Sequence, residues 1–231
     1  MRCAWCQESL AGLRRDAKFC SKRCRQASHR FNAGARNIAT RRPVEVGRTR
    51  RFGYADPPYP GRSGYYRHHP DYGGEVDHRE LIATLTARFP DGWALSTSAR
   101  ALQDVLSWCP RTVRIAAWVR GPRPTASKVP LTTWEPVIVH GGRPQLRSAV
   151  DARLDSLVRG VTARTTDPNR VTGAKPAAFC YWLFDLLGAQ PGDELVDLYP
   201  GSGGVCRAWT AVNDASPPGP HDTSTVVAHD G

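Results

Sequence analysis

RFGYADPPY, residues 51–59, is the stretch on which the fold turns. Its first six residues, Arg51 to Asp56, have strand character. The strand must stop at Pro57 and Pro58, because proline removes a ladder donor and biases its predecessor away from helix. Downstream, apolar residues at helical spacing predict a helix over Val76–Phe89, with Asp77 as its N-cap. GWALS (92–96) reads as a strand, 99–108 as a helix, and VRIAAWV (113–119) and WEPVIVH (134–140) as strands. A Pro-rich loop (121–130) and a weakly patterned basic stretch (141–173) interrupt the series. KPAAFCYWLFDLL (175–187) reads as a helix with proline at an early position, where its missing N–H costs nothing. ELVDLY (194–199) is a strand running into the turn PGSGG. Strands alternating with helices predict an α/β sheet with helices packed on it.

Upstream of the first strand the composition changes. Residues 1–51 hold 14 Lys/Arg against 3 Asp/Glu, which is the whole of the chain's net charge of +11. The remaining 180 residues are balanced. An excess confined to one end points to a polyanionic partner met by that end, since each neutralised phosphate releases counterions. Arg23, Arg25, Arg30, Arg41 and Arg42 are the candidate phosphate contacts. The reading divides the chain into a Cys-rich basic module (1–33), a basic linker (34–50), a catalytic domain (51–214) and a tail rich in Pro, Gly, Ser and Thr (215–231). Removing residues 1–50 is therefore expected to weaken nucleic-acid binding and flatten its salt dependence while leaving ligand binding by the rest of the chain nearly intact.

No stretch approaches the ~20 consecutive apolar residues of a membrane helix, and the N-terminus has no apolar leader core. The expectation is a cytoplasmic protein with no membrane partner. Of seven cysteines, Cys3, Cys6, Cys20 and Cys24 form two close pairs, C-x2-C and C-x3-C, separated by 13 residues. That spacing suits four thiolates around one Zn2+, and a module this small needs the metal in order to fold. It resembles the treble-clef or ribbon-like zinc modules attached to nucleic-acid enzymes. His29 could serve as an alternative ligand but is expected to be an exposed helix residue. Cys109, Cys180 and Cys206 read as small buried hydrophobes.

Asp56-Pro57-Pro58-Tyr59 carries candidate chemistry. An exocyclic amino nitrogen is a poor nucleophile because its lone pair is delocalised into the ring. The Asp56 carboxylate and the Pro57 carbonyl could accept both amino hydrogens and steer the lone pair toward an electrophile. Two prolines would hold those acceptors in place beforehand. Tyr59 offers a face on which a flipped base can stack. A polar aromatic loop follows, with Tyr65, Tyr66, His68, His69, Asp77 and His78, and His78 is expected to be structural. In the last motif, Asp197-Leu-Tyr199-Pro-Gly201-Ser202-Gly203-Gly204, the strand-to-glycine turn lets backbone approach a ligand closely. It lacks the Gly-Lys-Ser/Thr ending of a phosphate loop.

Asp-Pro-Pro-Tyr resembles the catalytic motif of the amino-methyltransferases that act on adenine N6 or cytosine N4, and Asp in first place points to adenine. The glycine turn is similar to that family's cofactor motif, and Lys175-Pro176 to a helix start in its circularly permuted, beta-class-like members. Their order here matches those members over roughly residues 50–210. The resemblance implies a Rossmann-like sheet and S-adenosylmethionine held by Asp56, Lys175, Asp197, Tyr199, Gly201, Ser202 and Gly203. It also implies N6 methylation of adenine in double-stranded DNA, with Asp56, Pro57, Pro58 and Tyr59 catalytic. RNA adenine N6, DNA cytosine N4 and an inactive nucleic-acid-binding protein on the same fold remain open, as does the oligomeric state. A dinucleotide-type site expects an acidic residue about 20 residues after the glycine motif begins, and here an acid follows Asp197 by 17 positions. Asp214 is the candidate ribose ligand, with Asn213 beside it. The short end is similar to that of the messenger-RNA adenosine methyltransferases, which usually have Trp where this chain has Tyr59.

Overall fold

A computed structural model describes residues 1–40, 48–68, 72–120, 128–144, 152–158 and 174–215. Six strands form one sheet: β1 Arg51–Ala55, β2 Gly92–Ser96, β3 Arg114–Val119, β4 Trp134–Gly141, β5 Ser156–Val158 and β6 Glu194–Asp197. The spatial order is β5-β3-β4-β2-β1-β6. β1 pairs in parallel with both β2 and β6, β3 with β5, and β4 alone runs against its neighbours.

Two-residue alternation sorts the strands onto two helical layers. Phe52, Tyr54, Ala94, Ala116, Trp118, Val137 and Val139 point to the side covered by α4 (Ala177–Leu187) and α5 (Gly204–Asp214). Ala55, Trp93, Leu95 and Ile138 point to the side covered by α2 (His78–Arg88) and α3 (Leu102–Ser107). Asp77 caps α2, its carboxylate accepting the Glu80 N–H at 3.0 Å. The weakly patterned stretch 141–173 contributes the three-residue edge strand β5, which no periodicity announced.

The N-terminal region departs from the expected module and linker. α1 runs over Lys22–Ala39, so its last six residues occupy what reads as linker. Phe31, Ala35 and Ile38 fall on one side of this helix and join the core beneath α4 and α5. The Tyr181 hydroxyl donates to the Phe31 carbonyl at 2.7 Å, and a Cβ on Gly34 would lie 2.3 Å from the Tyr181 ring. Trp5, Phe31 and Tyr181 make a line of ring contacts at 5.6 and 5.8 Å from the cysteine region to α4. Sequence patterning undervalued the segment because Gly34, Ala35 and Ala39 are weak hydrophobes. Their small size is what permits close helix packing.

A buried ion pair closes the opposite end of the sheet. The Arg143 guanidinium holds both Asp193 oxygens at 2.8 and 2.7 Å, and Asp193 also accepts the Arg50 and Gln190 backbone N–H groups. No helix among the described residues is long and apolar enough to cross a membrane.

Candidate active site

The chain reverses its progress across the sheet at β1, which has β2 on one side and β6 on the other. Such a switch point leaves a crevice beyond the carboxyl ends of the strands. Tyr54 is level with Asp197 in the β1–β6 register, so the residues following both strands open onto the same edge. There a cleft of about 1010 Å³ is lined by Asp56, Pro58, Lys175, Asp197, Tyr199, Gly201 and Ser202, among others. Three motifs spread over some 150 residues of sequence thus share one cavity. Tyr65, Tyr66, His68 and Tyr72 wall its other side. Glu75 ties that loop down by accepting the Gly61 N–H at 2.8 Å. His78 is buried, with Nδ1 2.9 Å from the Val76 carbonyl oxygen, which fits a structural role. His69 lies outside the described residues.

Lys175 is the electrostatic hub. Its ammonium lies 3.0 Å from Asp56 Oδ1 and 3.3 Å from Glu135 Oε2, with the rings of Phe179 and Trp118 at 5.4 and 5.6 Å. Burial opposes the charge, but Asp56 first, then Tyr59, Tyr54 and Glu135, hold this amine protonated far above its ordinary range. Burial raises Asp56, and Lys175 works against that rise. Arg120 pairs with the other Glu135 oxygen at 2.5 Å.

Glu135 and Arg120 were missed from the sequence. The signal was a single acid inside the apolar run WEPVIVH, because a buried carboxylate almost never lacks a partner. Burial foremost, then the charges of Asp56 and Glu135 and a hydrogen bond from the phenol to Glu135, push the Tyr59 pKa far up against the opposing charge of Lys175. Tyr59 is not among the residues lining the first cleft. With Glu135, Arg120, Arg62, Arg100 and Trp134 it lines a second one, of about 930 Å³. The Asp-Pro-Pro-Tyr turn stands between the two cavities. Pro57 is buried within it.

The glycine turn brings backbone to the edge of the first cleft. Gly201 and Gly203 have φ of 46° and 70°, a region that favours glycine. Half-buried Asp197 accepts the Tyr199 N–H at 3.2 Å. Burial foremost, and the charge of Asp56, raise its pKa to about 6. Gly203 supports the turn without lining the cleft. Asp214 does not reach the site: it is exposed at the far end of the 11-residue α5, about 15 Å of helix from the glycine turn. Asn213 is occupied in accepting the Gly192 N–H at 3.0 Å.

The four N-terminal cysteines converge. All four sulfurs lie within 4.8 Å of one another, with Cys6–Cys20, Cys20–Cys24 and Cys6–Cys24 separations of 3.4, 3.5 and 3.7 Å. A tetrahedral zinc site with Zn–S near 2.3 Å requires about 3.8 Å between sulfurs, so the set can hold such an ion. Hydrogen bonds to Cys6 and Cys24 push the Cys20 thiol up to about 12. Against the cost of burial, backbone N–H groups bring Cys3 down to about 6. Ser21 caps α1 through the Cys24 N–H at 3.2 Å, which fixes the fourth ligand on the first turn. His29 is exposed. Of the other cysteines, Cys180 is buried and Cys109 half-buried, but Cys206 is exposed on the outer side of α5, correcting the expectation of a third buried thiol. Arg23, Arg25 and Arg30 are exposed on α1, away from its packed side. Arg41 and Arg42 lie outside the described residues.

No family model matches the chain, and no curated protein matches it. Among solved structures it is similar to the crystal structure of an M1.HpyAVI–SAM complex, with 15% sequence identity and a TM-score of 0.47. The match covers 71% of this chain and 79% of that one. So distant a likeness assigns neither family nor activity.

Proposed function

We propose that the protein is an S-adenosylmethionine-dependent methyltransferase acting on the exocyclic amino group of a nucleic-acid base, with adenine N6 in DNA as the favoured target. The observation that carries this reading is the meeting of Asp56, Lys175 and Asp197 in one cleft at the sheet's switch point. Asp197 and the backbone of Gly201 and Ser202 would hold the amino-acid end of the cofactor. When bound, the cofactor supplies an electrophilic methyl group on a sulfonium.

The remaining chemistry belongs to the chain's own residues. Asp56 accepts an amino hydrogen of the base and aligns the nitrogen lone pair. Lys175 occupies one Asp56 oxygen, fixes its rotamer and favours the ionised carboxylate that can accept. Tyr59, bonded to Glu135 and three residues from Asp56 on the same turn, would supply the stacking face for the base. The cysteine cluster is read as a structural Zn2+ site, and the exposed arginines of α1, with Arg41 and Arg42, as contacts to the phosphate backbone.

Transfer of a tritiated methyl group to adenine-rich duplex and single-stranded DNA, RNA and cytosine-only DNA tests the reading. Wild type is expected to label adenine-containing DNA, and Asp56→Ala to lose at least the ~10²–10³ in rate typical of one preorganised transition-state hydrogen bond. Thermal melts control for folding. A folded Asp56→Ala protein with near-normal transfer would sink the assignment, and labelling confined to RNA or to cytosine would move the substrate.

A further inference from the structure

The second cleft is larger than its part in holding one base requires. About 930 Å³ is near the upper limit of a small-molecule site, and a base stacked on Tyr59 fills only one end. The remainder is lined by Arg62, Arg100, Trp134, Asp104, Ser98 and Ala99. Trp134 opens β4 and is half-buried, so part of its indole stays accessible within the cleft. Arg62 and Arg100 are exposed. Arg62, which lines this cleft, also donates to the hydroxyl of Tyr65 at 3.0 Å and lies 5.6 Å from that ring, which lines the first. Of the acids facing this space, Glu135 is neutralised by Arg120 and Lys175, leaving Asp104 as the exposed one.

The geometry points to a nucleotide subsite: the second cleft takes the nucleotide next to the target base on the same strand. This rests on the methyltransferase reading. A nucleotide has a flat face, an edge with donors and acceptors, and an anionic link on either side. Trp134 supplies the stacking surface, which accepts any base but not equally well. Asp104 and the Ser98–Ala99 backbone supply acceptors to an edge. Arg62 and Arg100 meet the phosphates. Because Tyr59 both ends the Asp-Pro-Pro-Tyr turn and lines this cleft, a nucleotide seated on Trp134 places its neighbour beside the turn that Asp56 begins. The subsite reads sequence context and sets the position of the strand at once.

Binding of a fluorescein-labelled 12-nucleotide single strand containing one adenine, measured by anisotropy across 50–200 mM salt, tests the subsite without relying on turnover. For Arg62→Ala/Arg100→Ala, Kd is expected to rise about tenfold and the slope of log Kd against log salt to fall by about 1.4, or about 0.7 per lost single-strand phosphate contact. Trp134→Ala should weaken binding and level the affinities of oligonucleotides differing in the base beside the adenine, and Trp134→Phe should restore the preference. Melts establish that each variant is folded. Unchanged Kd and salt slope in the folded arginine variant overturn the subsite, as does a wild type that binds no strand. If binding is lost as expected but wild type methylates nothing, the subsite stands and the methyltransferase reading falls. If wild type methylates while the variants bind normally, the reverse holds.

Discussion

Replacing Lys175 with methionine tests whether the buried cation does what its position implies. The substitution keeps the stem's bulk against Trp118 and Phe179 and removes only the charge. Two carboxylates, Asp56 and Glu135, then lose an ammonium held at 3.0 and 3.3 Å behind a side chain only 8% exposed. Leaving buried charges without their partner typically costs about 3–5 kcal/mol. For a chain of this size, that corresponds to a fall of roughly 6–20 °C in Tm. The cost is expected to depend on pH in a definite direction. Asp56 already has a raised folded-state pKa because burial outweighs Lys175, so its contribution to stability is lost as pH rises through that pKa. Without Lys175 the pKa rises further, and the gap between variant and wild type widens with pH and narrows under acid.

The same shift has a kinetic side. If Asp56 must be ionised to accept the amino hydrogen, the acid limb of the methylation profile moves to higher pH in Lys175→Met. Thermal melts from pH 5 to 8, run beside methyl transfer over the same range, measure both effects. Asp56→Asn added to Lys175→Met should recover part of the lost stability, because Glu135 keeps its ion pair with Arg120 whereas Asp56 loses the one with Lys175. A Lys175→Met protein whose Tm matches wild type at every pH, with an unmoved profile, refutes the electrostatic account of this site.

Two further predictions concern the cofactor end and the cysteines. Since the Asp197 pKa is near 6, S-adenosylmethionine binding by calorimetry should weaken about tenfold per unit as pH falls below about 6. Asp197→Asn should bind weakly and without that pH dependence, and an equally steep profile in the variant would remove Asp197 from the site. Metal analysis should find one zinc per chain. Chelation or Cys20→Ser should lower the Tm of the whole protein, because α1 is part of the main core; an unchanged melt of the sheet domain would show that the cysteine cluster is uncoupled from it.

The sheet was legible where its pattern is local. β1, β2, β3 and β4 each alternate or run apolar between clear breakers, and Asp77 stands one position before an apolar helical stripe. β5 was not legible, because its three residues are strand only by virtue of pairing with Ala117, Trp118 and Val119. The same limit applied within the site. Asp56, Lys175 and Asp197 could be named from short motifs, but their convergence depends on β1 and β6 lying side by side, a contact between distant segments. Glu135 sits on the reversed strand β4 and meets Lys175 only because α4 begins at the same edge. Asp214 was selected by counting along the sequence, and α5 carries it the wrong way.

The N-terminal region shows why charge and patterning can mislead together. Fourteen basic residues in fifty-one suggested a detachable tether for nucleic acid, yet a helix can be cationic on one side and structural on the other. On α1, Lys22, Arg23, Arg25, Arg30 and Arg36 are exposed, whereas Ala35, Ile38 and Ala39 are buried. Tyr181 is hydrogen-bonded to the α1 backbone and pressed against Gly34. Deleting residues 1–50 would therefore strip α1 from the core and remove nearly all of the chain's net positive charge in the same step. Loss of nucleic-acid binding in such a truncation could not be assigned to lost charge. Charge reversal at Arg23, Arg25 and Arg30 separates the two, because those side chains leave the packed side of α1 untouched: if these arginines contact phosphate, the salt slope of DNA binding falls while the Tm stays within a few degrees of wild type.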